Sequence, residues 1–170
     1  IQSLPALRPD SLRKKNKANV DTGMYFNAGD IQIKTKQLRI IDGKLFIDGN
    51  SNTPSNNFDG SHIQLSKLNG TFKNLSFIKD TIRADIDLSV KDRSGFELQK
   101  LKTKFRFTPQ IMELASLDLR TNKSRIGNYY AMKFTDFNKD FGDYIEKVVM
   151  DAYFREAKIN SDDIAFFAPE

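Results

Sequence analysis

The sequence predicts a mainly β protein built on an antiparallel curled sheet, and three observations carry that prediction. From Asp30 onward, apolar residues alternate with Lys, Arg, Asp, Asn and Thr at a spacing close to two, which is typical of strands buried on one face. The connections between the alternating runs are short and rich in turn residues, which favours antiparallel neighbours. Only two short stretches have helical periodicity.

Residues 81–92, TIRADIDLSVKD, are the clearest predicted strand. Its apolar side chains occupy the even positions: Ile82, Ala84, Ile86, Leu88 and Val90. Charged and hydroxyl side chains occupy the odd positions between them. The run therefore predicts a strand with one apolar side and one polar side.

The same alternation predicts further strands along the chain, about eight to ten in total. They are expected at residues 30–41, 43–48, 62–78, 96–107, 110–121, 124–134 and 148–158. The apolar residues of 62–78 cannot all share one phase, so this run is two strands or one strand with bulges. Within 110–121, Ile111, Leu117 and Leu119 fall on one phase. Within 96–107, the side that carries Leu101, Thr103, Phe105 and Phe107 lies opposite a side of Lys and Arg.

Turn residues separate these runs and define the loops. The predicted turns are Asp42-Gly43, Ser94-Gly95, Thr108-Pro109 and Asn122-Lys123-Ser124. Residues 49–61 are polar and predict an exposed, mobile loop, with a solvated His62 at its edge. Residues 1–28 have no sustained period and predict a loop or an incomplete first element. Residues 29–170 are then the antiparallel β segment of a longer protein, because the chain has the appearance of an excised segment.

Helix is expected only near residues 136–149 and 161–167. In the first stretch Phe137, Phe141 and Tyr144 recur on one helical face, although Gly142 inside it costs about 1 kcal/mol. The second begins with Ser161-Asp162-Asp163, which suits a helix N-terminus. Both predicted helices are short.

The composition argues against an enzyme. The chain has no cysteine and one histidine, so neither a thiol nucleophile nor a zinc-thiolate site can form, and no phosphate-binding, hydrolase or metalloprotease motif occurs. We predict no catalytic residue, no cofactor and no bound metal. The net charge of +5 does not establish nucleic-acid binding. In Lys104-Phe105-Arg106-Phe107 the rings lie opposite the cations, so no nucleic-acid partner is expected.

The number of predicted strands exceeds what two short helices can cover. The sheet must either fold on itself as a sandwich or barrel, or leave an open apolar trough. Periodicity alone favours the sandwich. An exposed apolar face of that size would mark a surface for a ligand or partner.

The sequence over roughly residues 25–170 resembles the AsmA-like, TamB-type envelope proteins of Bacteroidetes, in an internal segment that precedes their C-terminal domain. The motifs that carry the resemblance mark the ends of repeated strands and are not catalytic. They are Leu68-Asn69-Gly70, Leu75-Ser76-Phe77, Asp80-Thr81-Ile82, Ser94-Gly95-Phe96, the run from Leu117 to Thr121, Ser124-x-Ile126 and the run from Asp163 to Pro169.

The resemblance implies an open, U-shaped groove or half-barrel, which reverses the preference for a sandwich. It also implies a periplasmic segment of a cell-envelope protein in a Gram-negative bacterium, attached to the inner membrane through flanking segments. Its implied function is phospholipid transport between the inner and outer membranes, which supports outer-membrane biogenesis. The implied alternative is a scaffold for outer-membrane protein assembly or secretion, which pairs strands with a BamA-like barrel partner.

In the groove interpretation, phospholipid acyl chains are the ligand, and they would contact the apolar sides of three neighbouring strands. The lipid-facing candidates are Ile82, Ala84, Ile86, Leu88, Val90, Leu101, Phe105, Phe107, Leu117 and Leu119. A carbohydrate-binding or adhesin-type β domain would instead need exposed aromatic platforms. The absence of Trp argues against that third possibility.

Overall fold

The computed structural model describes residues 31–49, 53–59, 62–135, 140 and 147–167. They form one seven-stranded antiparallel sheet with its strands in chain order, curled but not closed into a barrel. The strands are β1 (Ile33–Asp48), β2 (His62–Ile78), β3 (Thr81–Asp92), β4 (Glu97–Thr108), β5 (Ile111–Thr121), β6 (Arg125–Lys133) and β7 (Val149–Tyr153). The predicted mainly β, antiparallel, open architecture is confirmed.

The predicted turn at Asp42-Gly43 is wrong, and this is why the described strands are fewer than expected. β1 runs straight through these residues, with a register shift against β2 between Ile40 and Gly43. Asp42 has a φ of 48°, and its backbone N–H donates a hydrogen bond to Oδ1 of Asn69 over 2.9 Å. Asp-Gly satisfies a bulge as well as a turn, because both require a positive φ. The runs at 30–41 and 43–48 are therefore one strand.

Residues 62–78 form one strand with bulges, β2, which is one of the two possibilities that the phase slips left open. Lys67 and Asn74 both have positive φ, at 51° and 53°. The pairing with β3 shifts at both places. Each extra residue reverses the alternation, so Leu65 and Leu68, three residues apart, lie on the same side of the sheet.

A bulge in β5 corrects the predicted phase of residues 110–121. Ser116 has a φ of 53°, and the register of β5 shifts between Ala115 and Leu117. Ile111 therefore lies on the opposite side from Leu117, although both have odd numbers. Met112, which pairs with Phe107, takes the apolar side instead.

The helix α1 (Ser161–Phe167) has the bounds expected for the second helical stretch. The first stretch, 136–149, lies largely outside the described residues. Its predicted end is wrong, because Val149 begins β7 and pairs with Lys133. The predicted last strand, 148–158, is also too long, since β7 ends at Tyr153.

His62 is not the solvated side chain that its position next to a polar loop predicted. It is buried, and its Nδ1 lies 2.8 Å from Oδ2 of Asp59. The described part of the 49–61 loop is also anchored, because Arg93 donates a hydrogen bond to the carbonyl oxygen of Ser55, and Phe58 packs against α1. The carboxylate three residues before His62 was the signal that the sequence interpretation missed.

On the side of the sheet that carries most of the charged residues, Asp118 of β5 forms one ion pair across to β4 and one along its own strand. Lys100 Nζ lies 2.8 Å from Asp118 Oδ2, and Arg120 Nε lies 3.0 Å from Asp118 Oδ1. The hydrogen bond from Lys100 is the main reason that the pKa of Asp118 falls below its ordinary value of 3.8, with Arg120 adding to it against the opposing effect of burial.

Replacing Asp118 with Asn should therefore lower the free energy of unfolding by about 0.5 kcal/mol at pH 7, the size expected for a partly exposed pair. Because the folded-state pKa is lowered, this stabilisation is present above the unfolded-state pKa and is lost as the pH falls through the folded-state value. Urea unfolding at pH 7 and pH 3 checks the prediction, with Asp87→Asn as an exposed control. A difference that grew in acid would contradict it.

Candidate functional site

The strand register assembles a continuous apolar face on one side of the sheet. Residues that pair directly across an antiparallel ladder lie on the same side. Ile82 pairs with Phe107, and Leu88 pairs with Leu101, which in turn pairs with Leu119. The pairing continues outward, because Leu88 also pairs with Gly70, which pairs with Ile40 in β1. The apolar face thus reaches across the sheet from β1 to β5.

All ten lipid-facing candidates lie on this apolar face. Five come from β3, three from β4 and two from β5. Val90 stays opposite an apolar partner because the register shift pairs it with Leu98 rather than with Gln99. Leu117 is in phase with Leu119 because both follow the bulge at Ser116. Contact between these residues and lipid stays a prediction.

The register also adds residues that the sequence interpretation did not include among the candidates. They lie on a strand outside β3–β5, or on β4 or β5 in a phase that a bulge changes. They are Ile33, Leu38, Ile40, Leu45 and Ile47 in β1, Ile63, Leu65, Leu68, Phe72, Leu75 and Phe77 in β2, Leu98 in β4, Met112 and Leu114 in β5, Ile126, Tyr130 and Met132 in β6, and Met150 in β7. The phase slips were the signal that could have found them.

Few side chains of the apolar face are buried to the extent of a protein core. Leu117 is buried at 5% exposure, but Leu88, Leu101 and Phe105 are only half-buried. On β1 the exposure is higher, as at Leu38, which is 45% exposed. A sheet that packed against a second layer would bury such residues almost completely.

The opposite side of the sheet is polar and internally paired. Arg106 Nε lies 2.8 Å from Glu113 Oε2, and the Tyr129 hydroxyl donates to Glu113 Oε1 over 3.0 Å. Burial, reinforced by the hydrogen bond to Glu113, raises the pKa of Tyr129 above its ordinary value. Asp85 accepts a hydrogen bond from Nδ2 of Asn74 over 2.7 Å. The two sides of the sheet therefore differ sharply in chemistry.

Four phenylalanines close one end of the apolar face, and we call them the aromatic cap: Phe58, Phe96, Phe166 and Phe167. The Phe96 and Phe166 rings stack with centroids 4.6 Å apart. Phe58 lies 5.7 Å from Phe167, centroid to centroid, and its backbone N–H donates to the carbonyl oxygen of Phe166 over 2.8 Å. The cap joins the loop before β2, the turn before β4 and the helix α1.

A cavity of about 170 Å³ lies beneath the aromatic cap. Its walls are the cap itself, part of the apolar face and two carboxylate residues. The face contributes Leu45, Ile63, Leu65, Val90 and Leu98, and the carboxylates belong to Asp59 and Asp92.

Polar contacts fasten α1 to the turn between β5 and β6. The Thr121 hydroxyl donates to Asp163 Oδ2 over 2.5 Å. Lys123 Nζ lies 2.6 Å from Asp162 Oδ2, and this hydrogen bond is the main cause that raises the pKa of Lys123 above its ordinary value. The backbone N–H of Asn160 donates to Oγ of Ser124 over 2.9 Å.

Within the described ranges, no group of three or more His, Asp or Glu side chains is arranged to hold a metal ion. In the same residues, no helix is long and apolar enough to cross a membrane. No protein-family model, curated protein or solved structure matches the chain significantly. The resemblance to TamB-type proteins is therefore carried by the sequence motifs alone.

Proposed function

We propose that this chain is a segment of a periplasm-spanning cell-envelope protein whose apolar face holds the acyl chains of phospholipids moving between the inner and outer membranes. The observation that carries the proposal is the continuous apolar face whose side chains are mostly half-buried or exposed. Contact between such a face and water is unfavourable in free energy unless something apolar covers it. Acyl chains provide that cover without any specific headgroup contact.

The dimensions of the sheet fit this ligand. Seven strands give six spacings of about 4.8 Å, so the face extends about 29 Å across the strands. The hydrocarbon core of a bilayer is about 30 Å thick, so one acyl chain spans about 15 Å of it. A chain of that length fits within the face. Burial of apolar area contributes about 25 cal/mol per Å², which holds such a chain by area alone.

Lipid extraction and mass spectrometry of the purified chain test the proposal. We expect phospholipid to co-purify with the folded protein and to bind again from vesicles after delipidation. The matched control is an unrelated open β-sheet protein purified from the same cells. Folded protein that carries no more phospholipid than this control would contradict the proposal.

One observation favours a second candidate function, the scaffold for outer-membrane protein assembly. β1 is 16 residues long, and in the described part of the chain no strand pairs with its outer edge. A long open edge is the template that β-augmentation uses, here with a strand of a BamA-like barrel partner. Site-specific crosslinking from Lys36 and Lys44 in cells tests it. Adducts with an outer-membrane barrel protein would support the scaffold, and adducts with lipid alone would contradict it.

A further inference from the structure

We propose that α1 is a displaceable lid and that the cavity beneath the aromatic cap receives the methyl end of a linear hydrocarbon chain. This inference rests on the proposed function, because the same chain would lie along the apolar face. It goes beyond that function by assigning one end of the face to one end of the ligand and by naming the helix that controls access to that end.

The way α1 is held makes it displaceable. The helix buries none of its residues, and Ile164 and Phe167 are both more than half exposed. A helix of 7 residues is far below the length at which an isolated helix is stable in water. Its position therefore depends on the aromatic cap and on contacts at the rim such as Lys123–Asp162. Breaking these contacts would uncover the cavity but would expose no fully buried residue of α1.

The lining of the cavity selects an apolar group. A dry cavity of about 150 Å³ lined by Leu, Ile and Phe is known to take ligands of the size of benzene. The cavity here is close to that size, at about 170 Å³, and is lined by the same types of residue. A pocket for a whole drug-sized ligand is larger, at about 300 Å³ or more. The cavity therefore suits the last few carbons of a chain.

The two carboxylates in the lining argue against an anionic headgroup at this end. Asp59 Oδ2 is engaged with Nδ1 of His62 at 2.8 Å, and Asp92 Oδ2 accepts a hydrogen bond from the backbone N–H of Ser94 over 2.7 Å. Both groups would repel a phosphate or a fatty-acid carboxylate. A chain with an anionic headgroup would therefore enter with its methyl end first.

The path to the cavity is continuous. Val90 and Leu98 line the cavity and pair with each other across β3 and β4. Two residues earlier in β3, Leu88 lies on the same apolar face and pairs with Leu101. A chain that lies against Leu88 therefore reaches Val90 without crossing a polar residue of β3.

A covalent restraint on α1 tests the lid. Lys123 and Asp162 are replaced by Cys, the only thiols in the chain, and bridged with a short bis-maleimide. α1 spans only about 10 Å, so a bridge at its first turn restrains the whole helix. The probe is a 16-carbon fatty acid with a photoactivatable diazirine at its methyl end. The control is the same variant treated with a monofunctional maleimide.

In the control we expect adducts at Leu65, Val90 and Leu98, and the bridge should reduce them about tenfold while leaving adducts at Ile86 and Leu88. A fatty acid with its diazirine beside the carboxylate should not label the cavity. Phe166→Ala, which removes the stacked ring, should raise the cavity adducts without the bridge.

The outcomes separate the lid from the proposed function. Adducts at Ile86 and Leu88 with cavity adducts that are absent, or unchanged by the bridge, would overturn the lid and leave the lipid-binding face standing. Folded protein with no adduct anywhere would overturn the lipid-binding face itself.

Discussion

Replacing Leu88 with Asp should abolish phospholipid binding while the protein stays folded. Leu88 lies at the centre of the apolar face, between Leu101 of β4 and Gly70 of β2. A Cβ on Gly70 would lie 3.1 Å from the Cβ of Leu88, so the leucine packs directly over the neighbouring backbone. A carboxylate placed there occupies the surface where an acyl chain must lie.

The expected cost of Leu88→Asp in folding free energy is about 1–3 kcal/mol, because the site is half-buried and the carboxylate keeps some contact with water. The apolar surroundings raise the pKa of the new carboxyl group, so the cost should shrink as the pH falls and the group becomes neutral. Co-purified lipid and circular dichroism at pH 7 and pH 4 measure both effects. The matched control is Ser89→Asp, one residue away on the polar side. Complete unfolding of Leu88→Asp alone would instead indicate a closed core.

Replacing Leu117 with Ala should produce the largest loss of stability among truncations of the apolar face, about 2–4 kcal/mol. Leu117 is buried at 5% exposure, whereas most of its neighbours on the face are half-buried. Truncation there leaves a cavity that the surrounding strands cannot close. Chemical denaturation measures the change in the free energy of unfolding.

The matched control for Leu117 is Leu45→Ala, on the same face but in β1 and 43% exposed. It should cost about 1 kcal/mol or less, since much of that side chain already contacts water. Equal losses at the two positions would mean that the face is uniformly buried. That result would contradict an open apolar face.

The strand content and the sidedness of the strands were predictable from the sequence, because alternation within a strand such as Thr81–Asp92 depends only on neighbouring residues. The bulges were predictable only in part. Phase slips indicated them in β2, but nothing local marks Ser116 as a residue with positive φ. Asp42-Gly43 was predicted to be a turn because a turn and a bulge favour the same residue types, those that adopt a positive φ.

The closed end of the apolar face could not have been predicted from the sequence. Phe58 and Phe166 lie far apart along the chain and meet only because the sheet brings their loops to one end. The burial of His62 could not be predicted for a similar reason, because it depends on how the loop that carries Asp59 folds back. Periodicity reports which side a residue faces and does not report what covers it.

Photo-crosslinking from four adjacent positions of β3 tests the lipid-binding face most directly. A photoreactive amino acid is placed at Ile86 or Leu88, on the apolar face, or at Asp85 or Asp87, on the polar side, in the protein expressed in its own cells. Adjacent residues of one strand lie at nearly the same place in the sheet but face opposite sides, so each position on the apolar face has a control on the polar side next to it. Phospholipid adducts at 86 and 88 with none at 85 and 87 are the predicted result. Equal adducts at all four positions, or none in a folded protein, would contradict a lipid-binding apolar face.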